Sequence, residues 1–289
     1  MSLPGGVARP PEGLLLVDKP RGITSHDAVT AVRRALHVKK VGHAGTLDPM
    51  ATGLLLMGVG RATRFLRFLS DRSKTYEATM RLGVETTTLD ADGEVVRRAP
   101  VEVTDDELLS AVAGLVGASM QRPPSHSAVK VGGRRLYDAA RRGEALEAPP
   151  RPIRVDSFEV SGRRGDDVDL FVVCGGGTYV RVLAADVGAA LGCGAHLTAL
   201  RRTRIGPFDV EDAVAPDAPG SPRPIAEAVA HLPGLSLEDE EARAAGHGRV
   251  LAPSGLEGPY RVLAPDGELI GVYEDEGPRS RPLVILQAG

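Results

Sequence analysis

Short apolar runs and alternating segments, separated by stretches of helical periodicity, recur through the chain. The apolar runs Leu14–Val17 and Leu54–Val59 each predict a short, buried strand. Apolar and polar residues alternate over Tyr76–Leu82, which predicts a strand with one buried face. Apolar residues at spacings of three and four predict a helix over Ser25–His37, and Thr24 is the expected N-cap.

The same periodicities continue after residue 100. A capping-box pattern predicts a helix that starts at Thr104 and runs through Val116. Val168–Val173 is typical of a strand, Tyr179–Leu191 of a helix, and Leu197–Ile205 of an extended, basic segment. Strands and helices are interspersed without a strict βαβα rhythm, so the pattern favours the α+β class over a doubly wound α/β sheet.

Three shorter segments carry weaker signals. Val41–Thr52 is rich in glycine and proline punctuation and is predicted to be a loop. Arg61–Leu69 is predicted to be helical, and Asp92-Gly93 is typical of a hairpin turn.

The strand-and-turn pattern of the tail and the Pro-, Gly- and Arg-rich composition of 121–152 predict the domain organisation. Residues 1–234 form the expected main domain, and residues 235–289 form a small β-rich domain. Within the main domain, 121–152 is predicted to be a long insertion with one short helix at Leu136–Arg142. Long loops of this kind are usually functional or disordered.

The net charge of −3 conceals an uneven distribution. From Leu235 onward there are ten acidic and five basic residues, whereas the first 234 residues hold 30 basic and 28 acidic ones. Basic stripes lie at 61–81, 134–154 and 201–204, and such stripes on a near-neutral body can bind a polyanion. Solvated helix faces would produce the same stripes, so charge alone leaves both readings open.

Composition also bears on the cellular compartment. The two cysteines, Cys174 and Cys193, form no CxxC pair and predict neither a disulfide framework nor a cysteine metal site. No N-terminal run is typical of a signal peptide, and no apolar run is long enough to cross a bilayer. We therefore expect a cytoplasmic protein that is not bound to a membrane.

The segment GHAGTLDP, residues 42–49, is the most unusual in chemical terms. Proline after Asp48 excludes the helical region for that residue and fixes how its carboxylate projects. A plain Asx turn, in which Asp48 bonds only its own backbone, is the structural alternative. Other chemistries are weakly supported: Gly175-Gly176-Gly177 lacks a nucleotide-binding spacing, and no zinc motif or GxSxG elbow is present.

Longer segments closely resemble the TruB-type pseudouridine synthases. GHAGTLDPMATGLLLMGVGRATRF is similar to the family's catalytic stretch, and LLLVDKPRGITSHDAV to its N-terminal motif. KTYEATMRLGVETTTLDADGEV, QRPPSHSAVKVGGRRLYDAARRG, CGGGTYVRVLAADVGAALG and AHLTALRRTRIGPF resemble four further family segments in the expected order. The resemblance implies a mixed, largely antiparallel sheet flanked by helices. The tail resembles a short PUA-type RNA-binding domain, although its acidity departs from that type.

The resemblance also implies roles for individual residues. Asp48 would be the catalytic carboxylate, Arg181 its ion-pair partner and Tyr76 the aromatic ring that stacks on the target base. Residues expected to bind the substrate are Tyr179 and Leu200 around the uracil, His43 in the space left by the flipped nucleotide, Lys19 and Pro20 at the pocket floor, and Asp90 near the RNA cleft. Basic residues expected on the RNA backbone are Arg64, Lys130, Arg134, Arg141, Arg142 and Arg202.

The implied reaction is isomerisation of the T-loop uridine conventionally numbered 55 in tRNA. The T-arm of tRNA is the expected partner, no cofactor or metal is expected, and the protein is expected to be a monomer. Asp48 could attack C1′ of the ribose, or a 2′ proton could be removed, and the residues do not choose between these routes. An RNA-binding module that folds tRNA without chemistry is the alternative function, but such a module would be expected to lose Asp48, Tyr76 or Arg181.

Overall fold

The structure of the protein is a computed structural model, and it describes residues 10–127, 129–140, 142, 144 and 146–286. The side chains of residues 135, 138 and 140 are not described. Within these ranges the α-helices are α1 (Ser25–Ala35), α2 (Asp105–Ala113), α3 (Leu136–Ala140), α4 (Val180–Ala190) and α5 (Asp239–Gly246). None of the described helices is both long and apolar enough to cross a membrane.

The strands of the first half are β1 (Gly13–Lys19), β2 (Val41–Ala44), β3 (Thr52–Val59), β4 (Lys74–Leu82), β5 (Val84–Thr86), β6 (Val95–Arg98), β7 (Gly117–Gln121), β8 (Lys130–Val131) and β9 (Arg134–Arg135). Those of the second half are β10 (Arg151–Arg164), β11 (Asp167–Cys174), β12 (Ala195–Ile205), β13 (Phe208–Asp209), β14 (Gly234–Ser236), β15 (Tyr260–Leu263), β16 (Leu269–Glu276) and β17 (Arg279–Ile285).

Nine of the described strands form one mixed sheet. Its main path runs β1-β3-β12-β4-β11-β10-β7, with β2 paired to β3 and β13 to β12. All of these pairs are antiparallel except β3 with β12. This architecture is the mixed, largely antiparallel α+β sheet that the sequence predicts.

Both faces of the sheet are covered, which explains the continuous apolar runs. In β1, Leu15 and Val17 pack with α1 residues, while Leu14 and Leu16 pack on the opposite face. Burying a leucine or valine side chain stabilises the fold by about 1.5–3 kcal/mol. In β4 the alternation is kept, because Met80 and Leu82 lie on its buried face.

Local signals place the helix starts correctly. The Thr24 hydroxyl accepts a hydrogen bond from the Asp27 N–H (3.0 Å), and the Asp27 carboxylate accepts one from the Thr24 N–H (2.9 Å). Thr104 opens α2 through an equivalent capping box. Helix α1 ends earlier than predicted, because His37 has a positive φ of 53°, which a helix does not allow.

Two local predictions were wrong. Val41–Ala44 was predicted to be loop but forms β2, because β3 offers it a complete antiparallel partner. The segment 61–69 was predicted to be a single helix and instead forms two 3₁₀ turns, Gly60–Arg64 and Leu66–Leu69. The first correction matters for the site, since residues 45–51 become the connection between two paired strands.

The insertion and the C-terminal module are both connected to the main sheet. Gln121 pairs with Arg151, so residues 122–150 connect two adjacent strands. The C-terminal sheet β14-β15-β16-β17 begins at Gly234, next to the expected boundary. Leu269 and Val272 of this sheet pack in the same apolar cluster as residues of β1 and β3.

Candidate active site

A cavity of about 210 Å³ opens where the β2–β3 connection faces the start of α4. Its lining contains six of the predicted site residues, which come from four separate segments: Asp48, Tyr76, Tyr179, Arg181, Leu200 and Arg202. The sheet brings these segments together, because β4 and β12 are adjacent strands and α4 leads from β11 to β12.

Asp48 lies on a loop that is held from two sides. The Ser25 hydroxyl donates to the Leu47 carbonyl (3.0 Å) and accepts from the Leu47 N–H (2.9 Å). The Ala51 N–H donates to the Asp48 carbonyl (3.1 Å). These bonds leave the Asp48 side chain one-third exposed and facing the cavity. The Asx-turn alternative therefore does not explain the orientation of the carboxylate.

Arg181 holds the Asp48 carboxylate in place. Its Nε lies 3.0 Å from Asp48 Oδ2, while its Nη1 donates to the Thr88 carbonyl (2.5 Å) and its Nη2 to the His126 carbonyl (2.9 Å). The residue is 2% exposed and lies in the first turn of α4. Because each guanidinium nitrogen has an acceptor, the orientation of the fork is fixed.

Asp90 does not line the cavity, although it was predicted near the RNA cleft. Its Oδ2 lies 3.6 Å from Arg181 Nε, so one guanidinium contacts two carboxylates. Asp90 is nearly fully buried and accepts further hydrogen bonds from the Thr88 hydroxyl and the Asp92 N–H. Its place behind Arg181 indicates a positioning role.

The electrostatics of Asp48 are a balance of opposing effects. Burial raises the pKa of the Asp48 carboxyl above its usual 3.8, and the neighbouring Asp90 adds to that rise. The Arg181 guanidinium and the Lys19 ammonium oppose it. The result is a carboxylate whose pKa is higher than that of an ordinary aspartate but which still has a cation at hydrogen-bond distance.

Two ring systems and one leucine form the apolar part of the cavity. Tyr76 projects from β4 and is 6% exposed, and burial raises the pKa of its hydroxyl. Leu200, on the adjacent strand β12, lies opposite Ala78 of β4. Tyr179 is the N-cap residue of α4, and the Arg151 guanidinium lies over its ring, 4.9 Å from the ring centre. A flat, uncharged ring fits between such groups.

Lys19 and Pro20 were predicted to shape the pocket floor, and neither lines the cavity. The Lys19 ammonium instead donates to the carbonyls of Pro20 (2.9 Å) and Ile23 (2.8 Å), closing the turn after β1. Burial lowers the pKa of Lys19 to about 8. Lys19 acts on the site through its charge, since it lowers the pKa of Asp48.

His43 also lies outside the cavity lining. It is half-buried on β2, opposite Met57, and its Nδ1 has no hydrogen-bond partner among the described residues. Burial lowers its pKa, so the ring is neutral at pH 7. The expected role in the space left by a flipped nucleotide stays a prediction.

The prediction for Arg202 needs correction. It was expected on the RNA backbone, but it is 1% exposed. Its guanidinium donates to the carbonyls of Leu54 (2.8 Å) and Gly45 (2.9 Å). Because Gly45 belongs to the Asp48 loop, Arg202 supports that loop from beneath and cannot reach an RNA phosphate on the surface.

The remaining basic residues of the prediction lie outside the cavity. Lys130 is exposed on β8, and Arg64 is half-buried in the first 3₁₀ turn. Arg134 and Arg142 are exposed and both pair with Glu144. Exposed pairs of this kind contribute about 0–1 kcal/mol, so they do not prevent either arginine from binding a phosphate. Arg141 lies outside the described residues.

Gln121 is a site residue that the sequence reasoning missed. Its side-chain amide accepts from the Tyr179 N–H (2.8 Å) and donates to the Tyr179 carbonyl (3.1 Å). This pair of bonds fixes the start of α4 and therefore the position of Arg181. Gln121 is the last residue of β7, and the available signal was a polar Gln at the head of the QRPPSHSAVK segment.

In the described part of the chain, no three His, Cys, Asp or Glu residues come close enough to hold a metal ion. The arrangement can position a carboxylate next to an uncharged ring and supply positive charge around it. It therefore suits attack on, or proton removal from, a bound nucleoside.

Comparison with known protein families agrees with this site. Residues 33–180 match the TruB family pseudouridylate synthase N-terminal domain. Residues 181–217 match the tRNA pseudouridylate synthase B C-terminal domain, and 232–287 match the tRNA pseudouridine synthase II C-terminal domain.

Curated relatives are similar over nearly the whole chain. The chain is 49% identical over 287 residues to tRNA pseudouridine synthase B of Mycolicibacterium paratuberculosis, covering 96% of this chain and 98% of the relative. It is 49% identical over 288 residues to the protein of that name from Thermobifida fusca, covering 95% and 98%.

Solved structures share the fold. A chain in the structure of an H/ACA RNP bound to a substrate RNA containing 2′-deoxyuridine superposes with a TM-score of 0.73 at 25% identity, covering 96% of this chain and 85% of that one. A Cbf5-Nop10-Gar1 complex superposes with a TM-score of 0.72 at 28% identity, covering 94% and 83%. The family and relative matches, which agree with the pairing of Asp48 on its loop with Arg181 of α4, show that the chain belongs to the TruB family of pseudouridylate synthases.

Proposed function

We propose that this TruB-family isomerase converts a uridine of tRNA to pseudouridine, and that its target is the T-loop uridine conventionally numbered 55. The observation that carries the proposal is the Asp48 carboxylate, held 3.0 Å from the Arg181 guanidinium at a cavity lined by Tyr76 and Leu200. The choice of tRNA rests on the curated relatives, which are named tRNA pseudouridine synthase B.

The reaction breaks the bond between N1 and C1′, rotates the uracil and joins C5 to C1′. C5 loses a proton and N1 gains one, so no net oxidation occurs and no group is transferred between molecules. An ionised Asp48 can attack C1′, as in retaining glycosidases, or a base can remove the 2′ proton. Arg181 favours the ionised carboxylate in either route.

The target base must leave its stack before it can reach Asp48. Extrusion costs a few kcal/mol, and stacking on an aromatic ring offsets about 1–3 kcal/mol per base. Tyr76 lies on β4, which is paired with a strand on either side, and the residue is 6% exposed, so stacking should cost its side chain little freedom.

The direct test is to incubate the protein with unmodified tRNA transcript and to map pseudouridine by carbodiimide-blocked reverse transcription. We expect one modified position, in the T loop. A transcript in which that uridine is replaced by cytidine is the control. Modification at other positions, with the T loop untouched, would reject the proposed substrate position but keep the isomerase.

On the acid limb of its pH profile, the activity should begin to fall at an unusually high pH. Asp48 acts as the ionised form, and burial raises its pKa, so kcat/KM should begin to fall at a higher pH than 3.8 predicts. Asp90→Asn removes a charge that raises this pKa, so the limb should move to lower pH. A pH profile of single-turnover rates checks this, and an unmoved or upward-shifted limb in Asp90→Asn would contradict it.

Activity should not depend on added metal or nucleotide. The reaction needs no oxidant or energy source, so enzyme treated with EDTA should be fully active on prefolded tRNA. The measurement is the turnover rate before and after treatment, with the fold of the tRNA checked separately because RNA folding itself depends on cations. Restoration of lost activity by zinc alone would contradict the expectation.

We propose that the arginines of the 122–150 connection bind the tRNA backbone. Arg134→Ala with Arg142→Ala should weaken binding to all tRNAs alike and flatten the dependence of log K on log salt by about one to two units. Arg281→Ala, which removes an exposed, ion-paired arginine of the acidic module, is the matched control. If the double variant keeps the wild-type slope, these arginines only pair with Glu144.

A further inference from the structure

Among the polar side chains of the cavity wall that have no part in the mechanism above, three carry a buried atom without a strong hydrogen-bond partner in the described part of the chain: Ser127, Arg151 and Thr178. Ser127 is 6% exposed, yet its hydroxyl has no hydrogen-bond partner among the described residues. The same holds for Arg151 Nε. Thr178 Oγ1 also lacks a strong partner among the described residues, since it interacts with the Cys174 thiol, a weak hydrogen-bonding group. Buried polar atoms without partners cost free energy, so their clustering in one cavity indicates a ligand.

The backbone that carries Ser127 is fixed from both sides. The carbonyl of the preceding residue, His126, accepts a hydrogen bond from Arg181 Nη2 (2.9 Å). The Ser127 carbonyl accepts one from the Tyr137 N–H (3.0 Å). The hydroxyl is therefore presented to the cavity by a segment that is tied directly to the catalytic pair.

Arg151 lies in the same wall of the cavity. Its guanidinium lies over the Tyr179 ring and donates to the Gly177 carbonyl. Gly177 has a φ of +87°, and a Cβ at that position would lie 3.4 Å from Arg151 Nη2. Helix α4 starts three residues later, at Val180, without a side-chain cap, so its positive end faces this wall.

The charge of the cavity lining exceeds what a nucleoside needs. The described lining residues include one carboxylate, Asp48, and four cationic side chains: Lys74, Arg151, Arg181 and Arg202. Arg181 is paired with Asp48, and Arg202 and Lys74 are bonded to backbone carbonyls. Uracil and ribose carry no charge, so the surplus positive charge matches a phosphate that accompanies the flipped nucleotide.

We propose that Ser127, Arg151 and Thr178, with the start of α4, form a subsite for one RNA backbone phosphate that flanks the target uridine. The subsite rests on the proposed function and deepens it, because it sets how far the nucleotide enters the cavity relative to Asp48. Oxygen atoms of a phosphate accept hydrogen bonds from hydroxyls, a guanidinium and the N–H groups of a helix start, which are the donors present here.

The test uses T-arm stem-loop RNAs in which either the 5′ or the 3′ phosphate of the target uridine is replaced by an uncharged methylphosphonate. In the wild-type enzyme, one of the two replacements should lower the single-turnover rate or the affinity by about tenfold to a hundredfold, since a charged hydrogen-bonded contact is lost. The double variant Ser127→Ala with Thr178→Val should be slower, or bind more weakly, than the wild type by a similar factor on all-phosphate RNA. On the neutral RNA it should differ little from the wild type.

Matched variants separate the subsite from general charge and from folding. Arg154→Gln removes a positive charge from the same strand as Arg151, at an exposed residue outside the cavity, and should retain the full methylphosphonate penalty. Thr178→Ser keeps the hydroxyl, so Ser127→Ala with Thr178→Ser should regain part of the factor that Ser127→Ala with Thr178→Val loses on all-phosphate RNA. Thermal unfolding of each variant shows whether the fold is intact.

Two results would overturn the proposal. In the first, the double variant loses the same factor in rate or affinity on the neutral RNA as on the all-phosphate RNA. In the second, the wild-type enzyme shows no loss with a methylphosphonate at either linkage. The failure of the proposed function looks different, because the wild type would then form no pseudouridine even on the all-phosphate RNA. Normal turnover without coupling would reject the phosphate subsite and leave the isomerase assignment untouched.

Discussion

Asp48→Asn is expected to reduce turnover by a factor on the order of 10⁴ or more, because the amide can neither attack C1′ nor accept a proton as a carboxylate does. The amide has the same size and shape, and the Asp48 side chain faces the cavity rather than the core. The fold and the affinity for tRNA should therefore stay within a few-fold of the wild type. Single-turnover pseudouridine formation and filter binding measure the two effects separately.

Asp90→Asn is the matched control for this substitution. Asp90 contacts the same guanidinium, at 3.6 Å from Arg181 Nε, but does not line the cavity. It should retain measurable turnover, with the shifted acid limb described above. If Asp48→Asn forms product at more than a trace rate, or if both variants are equally impaired, Asp48 does not have the central role.

Local chemistry made much of the fold predictable. The alternation of β4, the capping boxes of α1 and α2, and the apolar runs of β1 and β3 depend on residues that are neighbours in sequence. The loop containing Asp48 was also identifiable, because a proline after an aspartate between glycines is a strong local constraint.

Two of the failures involve partners outside the segment itself. Gly42 and His43 give no strand signal of their own, and β2 forms because β3 pairs with it. Arg202 lies in a basic run that is typical of a surface. Its burial follows from register: Leu200 and Arg202 are two residues apart on β12 and share a face, and Leu200 was already expected in the pocket. The alternation of side chains along a strand was therefore an available signal that Arg202 is buried on the same face as Leu200.

The positioning groups around Arg181 were the least predictable part of the site. Thr88 and His126 contribute only backbone carbonyls, and a carbonyl carries no information about residue type. Asp90 reaches Arg181 through a bridge between the β5–β6 connection and Leu197 of β12, a pairing that no local pattern predicts. The residues proposed to react with substrate are thus easier to identify from sequence than the groups that orient them.

These orienting groups lead to the second large effect, that of Arg181→Lys. Lysine keeps the positive charge but replaces a planar fork of donors by one ammonium group. A single nitrogen cannot reach Asp48, the Thr88 carbonyl and the His126 carbonyl from the positions that the guanidinium occupies. At least one buried acceptor then lacks a donor, and the carboxylate loses its fixed orientation. We expect the chemical step to slow by about 10²–10³-fold, as for loss of one oriented donor in an active site.

Binding should change much less than chemistry, because the Arg181 side chain is 97% covered by protein and has little surface left for RNA contact. Rapid-quench measurement of the single-turnover rate at saturating tRNA isolates the chemical step, and an equilibrium Kd isolates binding. Arg201→Lys is the matched control: Arg201 also forms a forked pair with an aspartate, Asp18, on the same sheet but outside this cavity. A near wild-type rate in Arg181→Lys would show that charge alone suffices and that the fork does not orient Asp48. Equal losses in both lysine variants would attribute the effect to general destabilisation, which a comparison of their melting temperatures would reveal directly.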